Sequence, residues 1–147
     1  MRGVLGGLVA GASRTTIVDL EAGLEHLSRG TARYVDTLLV VGEPYFKSLE
    51  TASRSFALAK ELGIGHIQMV ANKVRTPRDE DSVREYAARH NLPLTTLVPY
   101  DDAVVAADER GMALIEHGPA SRSVAAIRSL ADDLLTSSAA RAGQAGR

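Results

Sequence analysis

The chain predicts an α/β fold, a doubly wound and mainly parallel sheet with flanking helices. Two observations carry this. Short β-branched runs alternate with helical runs, which is the pattern of βαβ units. The short runs are also nearly continuous in apolar residues, as strands covered by helices on both faces are. The strand candidates are Thr16–Leu20, Thr37–Val41, His66–Ala71 and Leu94–Val98.

The helical runs have readable limits. Ser48 to Leu62 begins at Ser48 as N-cap, turns Leu49, Ala52, Phe56, Ala59 and Leu62 inward, and stops at Gly63. Asp79–His90 and Asp102–Glu116 are two further helices, the second carrying Gly111 in its interior. Ser121–Leu135 places Val124, Ile127, Ala131 and Leu134 on one face, a spacing suited to docking on a sheet. Val4, Leu5, Leu8 and Val9 have helical spacing within Met1–Gly11, but the glycines there predict a frayed helix. Thr136–Arg147 is small and polar with nothing to pack, so a disordered tail is expected after a domain spanning residues 1–135.

Composition narrows the chemistry. With 147 residues and 45% apolar content, one domain can bury a core. The absence of cysteine excludes disulfides, thiolate metal sites and cysteine nucleophiles within these residues. A net charge of -1 lacks the basic excess of a nucleic-acid binder, so no nucleic-acid partner is expected. No run approaches the length of a membrane span, and the polar face of Ser121–Leu135 sets Asp132 and Asp133 against Arg122 and Arg128. A cytoplasmic protein without a membrane partner is the expectation.

In open α/β sheets ligands bind beyond the carboxyl ends of the strands. Each strand candidate ends in a polar signal. These are Asp19-Leu20-Glu21-Ala22-Gly23, Gly42-Glu43-Pro44, Asn72-Lys73-Val74-Arg75 and Pro99-Tyr100-Asp101. Loops are polar and rich in glycine and proline in any protein, so one such segment alone says little. Four of them in order, on parallel strands of one sheet, would share a rim.

The runs IVDLEAGLEHLSRGTARYVDTLLVVGEP, SLETASRSFALAKELGI, VANKVR and VPYD, in that order, resemble the second half of CooC-type ATPases. These nickel-insertion accessory proteins of carbon monoxide dehydrogenase form a branch of the MinD/ParA group, within the SIMIBI-class P-loop NTPases. The resemblance extends from about Thr16 to His117, and DLEAGLEHLSRGTA is its most specific run. It implies that residues 1–135 are the C-terminal part of a nucleotide-binding domain. It also implies ATP and Mg²⁺ as cofactors, and a homodimer or a client metalloenzyme as partner.

By the same resemblance, Asp19 is a switch carboxylate acting on Mg²⁺ through a bound water, a role suited to a hard cation that keeps several waters. Gly23 lets the backbone approach the γ-phosphate and change conformation after hydrolysis. Asn72 hydrogen-bonds the adenine edge, and Pro99, Tyr100 and Asp101 form the loop over the base. Glu21, two residues beyond Asp19, has no assigned role.

The departures matter equally. Family members open with a strand and a glycine-rich loop whose amides and lysines hold the β- and γ-phosphates. Here Gly6 and Gly11 have the glycine spacing, but Ala12 stands at the lysine position. The family's paired metal-binding cysteines are also missing. His26, His66, His90 and His117 contain no i, i+4 pair, so they suggest no metal site. Catalysis by this chain alone is therefore not expected. In the family fold the missing strand lies between the one ending at Asp19 and Thr37–Val41, so the gap must close by pairing Ile17 and Val18 with Leu38–Val40, or be filled by a borrowed strand. A non-catalytic α/β interaction module is the alternative function. A receiver-like domain is a third reading, but it would need an acidic pair ahead of Asp19.

Overall fold

The computed structural model describes residues 15–20 and 34–145, with side chains as far as residue 138. Within them the order is β1 (Leu38–Gly42), α1 (Phe46–Glu61), β2 (Ile67–Val74), α2 (Pro77–Arg89), β3 (Leu94–Pro99), α3 (Asp102–Glu109), α4 (Leu114–His117) and α5 (Arg122–Ala145). The strands form a three-stranded parallel sheet in the order β1-β2-β3. This is the expected α/β class.

Because the strand order advances in one direction, right-handed crossovers carry α1 and α2 to the same face. That face holds the main core. Leu38 and Val40 of β1 and Ile67, Met69 and Ala71 of β2 meet Leu49, Ala52 and Ala59 of α1 and Val83 and Ala87 of α2. The opposite face has a smaller cluster, where Val70 and Val98 pack against Leu130 of α5, with Leu39, Ala126 and Leu134 around them.

Several limits differ from the sequence expectation. The segment Thr15–Leu20 is not a strand: it carries no regular structure, Ile17 is 90% exposed, and only Leu20 packs against the main core. An apolar run becomes a strand only when a neighbour completes its ladder, and among the described residues none does. The gap is therefore not closed by pairing Ile17 and Val18 with β1. Asn72 to Val74, expected as loop, extend β2 instead.

Helix α1 starts two residues before Ser48, with Tyr45 at the N-cap position. Ser48 lies inside, its hydroxyl accepting the Glu43 N–H at 2.9 Å, so it holds the turn leaving β1. At the other end Gly63 adopts φ +83, the left-handed conformation that stops a helix. The helix expected over Asp102–Glu116 is two. Gly111, at φ +61, breaks it between α3 and α4.

On α5 the buried face is Ser123, Val124 and Leu130, with Ala126 and Leu134 beside them, whereas Ile127 is 49% exposed and Ala131 exposed. The expected stripe was rotated because Ser123, a polar residue that periodicity assigns outward, is taken inside by its hydrogen bonds. The expected tail from Thr136 is helical to Ala145, its alanines extending α5 at little side-chain entropy cost. The proposed Met1–Gly11 helix lies outside the described residues, as do Glu21, Gly23 and His26.

Candidate functional site at the strand ends

Parallel pairing brings the carboxyl ends of β1, β2 and β3 to one rim, and the last residues of β2 and β3 stand together. Val74 registers against Pro99, and the Tyr100 N–H donates to the Val74 carbonyl at 2.9 Å. Between Ala71 and Val74 the register slips by one residue, a bulge at Asn72 and Lys73. Lys73 takes it up with φ +58, a left-handed backbone that a residue with a Cβ rarely adopts. The Asn72 Oδ1 accepts the Lys73 N–H at 2.9 Å and holds the bulge from within. Strain of this kind clusters at functional sites, where surrounding structure over-determines it.

Charged groups tie the rim together. The Lys73 Nζ donates to Glu43 Oε1 at 2.8 Å, joining the end of β2 to the turn after β1. The hydrogen bond and charge of Glu43 push the Lys73 ammonium above its ordinary range. The Arg75 guanidinium lies 3.4 Å over the centre of the Tyr100 ring, a cation–π stack. Helix α2 starts immediately afterwards with a capping box. The Thr76 Oγ1 accepts the Asp79 N–H, and the Asp79 Oδ2 accepts the N–H groups of Arg75 and Thr76, each at 3.0 Å. Those backbone donors hold the Asp79 carboxyl below its usual range.

Asp101 anchors the other side. Its Oδ1 accepts the Ala103 N–H at 3.0 Å and caps α3, while its Oδ2 accepts the Ser123 N–H at 3.2 Å at the start of α5. These two backbone donors, in that order of importance, depress its pKa. Ser123 is buried, and its hydroxyl donates to the Pro99 carbonyl at 3.0 Å. Pro99, Tyr100 and Asp101 are thus clamped between β3 and the first turns of two helices.

The structure brings Asn72, Pro99, Tyr100 and Asp101 together. It does not bring Asp19 to them. Asp19 is exposed on the unpaired segment and enters none of the hydrogen bonds or ion pairs found among the described residues. Gly23 lies outside those residues. No group of three or more metal-ligating side chains occurs among the described residues. Sequence reasoning missed Ser123, the Lys73–Glu43 pair and the Arg75–Tyr100 stack. The capping box had a signal in the sequence, Thr76-Pro77-Arg78-Asp79, which the expectation of a helix starting at Asp79 passed over.

No family model matches the chain. Among curated proteins it is 36% identical over 122 residues to the carbon monoxide dehydrogenase accessory protein CooC of Rhodospirillum rubrum, covering 83% of this chain and 46% of that one. It is 37% identical over 112 residues to an uncharacterized ATP-binding protein of Methanocaldococcus jannaschii, covering 76% of this chain and 43% of the relative. The chain therefore spans less than half the length of these relatives. Among solved structures the fold matches the MinD cell division protein of Aquifex aeolicus, with a TM-score of 0.64 and 17% identity over 78% of this chain and 50% of that one. A ParA family ATPase from Chlorobium tepidum matches with a TM-score of 0.60 and 24% identity, over 72% and 44% of the two chains. No helix among the described residues is long and apolar enough to cross a membrane. The chain thus covers part of a SIMIBI-class P-loop NTPase, matching CooC in sequence and the MinD and ParA ATPases in fold.

Proposed function

We propose that the chain is the base-binding part of an ATP-binding, ATP-hydrolysing switch protein of the CooC type, acting in metallocentre assembly as a dimer or with a client metalloenzyme. The observation that supports this reading is the rim itself, where the bulge at Asn72 and Lys73 directly precedes the pairing of Val74 with Pro99, the first residue of the clamped Pro99–Asp101 loop. An amide suits adenine, since its NH₂ can donate to N1 and its oxygen, which has a second lone pair beyond the bond to Lys73, can accept from N6. Asp101 has both oxygens committed to backbone donors, so it positions the loop, and Tyr100, stacked with Arg75, supplies an aromatic surface. Asp19 would act on Mg²⁺ through water, and Gly23 would face the γ-phosphate, once the phosphate-binding loop is present. Mg²⁺ would supply charge neutralisation at the phosphates.

Binding by this chain should be weak, because the triphosphate has no glycine-lysine loop to meet it. A dissociation constant of ~1 mM or worse is expected, equivalent to roughly 4 kcal/mol. Titrating Mg·ATP into isotope-labelled chain should move the amide resonances of Asn72, Tyr100 and Asp101, and Asn72→Ala should remove those shifts. Micromolar binding by calorimetry, or shifts confined to another surface, would contradict the assignment.

Hydrolysis above background is not expected, since the sequence has no glycine-rich P-loop with its lysine to meet the charge that develops on the transferred phosphoryl group. Steady turnover by pure chain, abolished by Asp19→Ala, would overturn this.

A shallow groove of about 280 Å³ between α1 and α2, edged by the 70% exposed Phe46, favours the second reading, a non-catalytic interaction module. On that reading Mg·ATP leaves the spectrum unchanged at every concentration.

A further inference from the structure

Helix α3 buries its small residues and exposes its large apolar ones. Ala107 is buried, with Ala103 and Ala106 half-buried, whereas Val104 and Val105 are exposed, the latter by 45%. The buried side has to be small, because a Cβ on Gly118, just past α4, would stand 3.3 Å from the Ala103 Cβ. Close packing of that kind accounts for the alanines. It gives no reason for valines on the outer side, where a helix facing water carries polar residues.

The apolar surface continues past the end of the helix. Gly111 turns the chain, and the Met112 N–H donates to the Ala107 carbonyl at 2.9 Å, which holds Met112 at the last turn of α3. Met112 is exposed, as is Ile115 on α4, by 56%, and α3 and α4 pack on each other.

Charge on this surface is one-sided. Asp102, Asp108, Glu109 and Glu116 are exposed and enter none of the ion pairs found among the described residues. On α1 and α2, by contrast, Glu50, Glu80 and Glu85 are each matched by an arginine four residues on. Arg110 is the one cation between Asp102 and Glu116, and its guanidinium lies 3.2 Å from the His117 Nδ1. Asp108 and Glu109 stand in the last turn of α3, where the helix dipole favours cations and no basic residue is present. These two acids do not serve the stability of their own helix.

We infer that the outer side of α3 and α4 is a docking surface for a basic amphipathic segment of another protein. Its apolar stripe would cover Val104, Val105, Met112 and Ile115, while its lysines or arginines meet the four carboxylates. Charge complementarity selects this occupant. A second copy bound about a two-fold axis would set the same acids against one another. An anionic membrane or a nucleic acid would be repelled. The assignment holds whether or not the rim binds ATP.

The test is titration of the isotope-labelled full chain with a synthetic amphipathic peptide. It carries leucines at i, i+3, i+4 and i+7, the anchors of a groove-docking helix, with lysines flanking them. Amide shifts are expected at Val104, Val105, Met112 and Ile115. Glutamate in place of the lysines, or a scrambled order of the same residues, should weaken binding ~10-fold or more. The double variant Val105→Ser with Ile115→Ser should do the same, and so should Asp108→Lys with Glu109→Lys. Serine is close to valine in helix propensity and lysine suits a helix C-terminus, so the fold should persist, checked by circular dichroism. Phe46→Ser, in the groove between α1 and α2, should bind the peptide as the parent does.

No binding of the peptide would overturn the inference. So would shifts centred on Phe46 and Tyr86, equal affinity for the scrambled or glutamate peptide, or indifference to both double variants. A homodimer by light scattering that Val105→Ser with Ile115→Ser dissolves would give the face to a second copy instead. Tighter binding to phosphatidylserine vesicles than to the peptide would give it to a membrane, and either result also overturns the inference.

Discussion

Replacing Met69 by alanine is expected to cost about 2–5 kcal/mol of stability, the range for truncating a fully buried methionine. Met69 is 1% exposed at the centre of β2, and its side chain belongs to the main core together with residues from α1 and α2. Its terminal methyl lies 3.4 Å from where a Cβ on Gly42 would stand, so it also fills the space against β1. No side chain nearby can grow into the void, and the cavity term adds to the lost transfer energy. A domain with about 5–15 kcal/mol in hand would lose a large share of its stability. Urea denaturation should show a clear fall in midpoint. The contrasting variant is Ile127→Ala, which changes a half-exposed residue on the outer side of α5 and should stay within about 0.5 kcal/mol of the parent. A larger cost for Ile127 than for Met69 would mean that α5 docks by the face its apolar periodicity suggests.

The second large effect lies at the Asp101 clamp. Ser123→Ala should destabilise by about 1–3 kcal/mol, because the Pro99 carbonyl loses its hydroxyl donor in a closely packed place. Asp101→Ala should loosen three elements together, since one carboxylate caps α3, binds the start of α5 and shapes the loop after β3. The double variant should cost less than the sum of the singles, as expected of neighbours in one network.

Acid should act through the same group. The folded-state pKa of Asp101 lies below its ordinary value of about 3.9, so the unfolded chain binds the proton more readily. Its stabilisation is fully present above the unfolded value and is lost as pH falls through the lower folded value. Asp79, depressed by its own capping bonds, loses its contribution in the same direction. Stability measured from pH 6 downward should therefore hold until the carboxylate range and then fall, with a shallower fall in Asp101→Asn. An Asp101→Asn variant as acid-sensitive as the parent would exclude this carboxylate as a source of the loss.

The elements legible in the sequence were those whose signals are local. The limits of α1 and α2 came close because Gly63 stops one helix by its backbone freedom, and buried Leu49, Ala52 and Ala59 repeat at helical spacing. The parallel α/β class followed from apolar runs separated by helix-length segments, since both properties record how many faces a strand buries. The resemblance to CooC-type ATPases rested likewise on contiguous runs, and the relatives found by comparison agree with it.

What tertiary structure alone decided were the relations between distant residues. Whether Thr16–Leu20 is a strand depends on a neighbour, because a ladder needs two partners, and the apolar run is the same with or without one. Which side of α5 faces the sheet was settled by Ser123, whose bonds to Asp101 and Pro99 span 22 and 24 residues of sequence and outweigh the exposure of Ile127. The bulge at Asn72 and Lys73 arises from the register between β2 and β3, which neither strand encodes alone. Local sequence thus determined the elements and their likeness to a nucleotide-binding fold. The rim and the clamp arise from pairings across the chain, whose free energy exists only when both partners are in place.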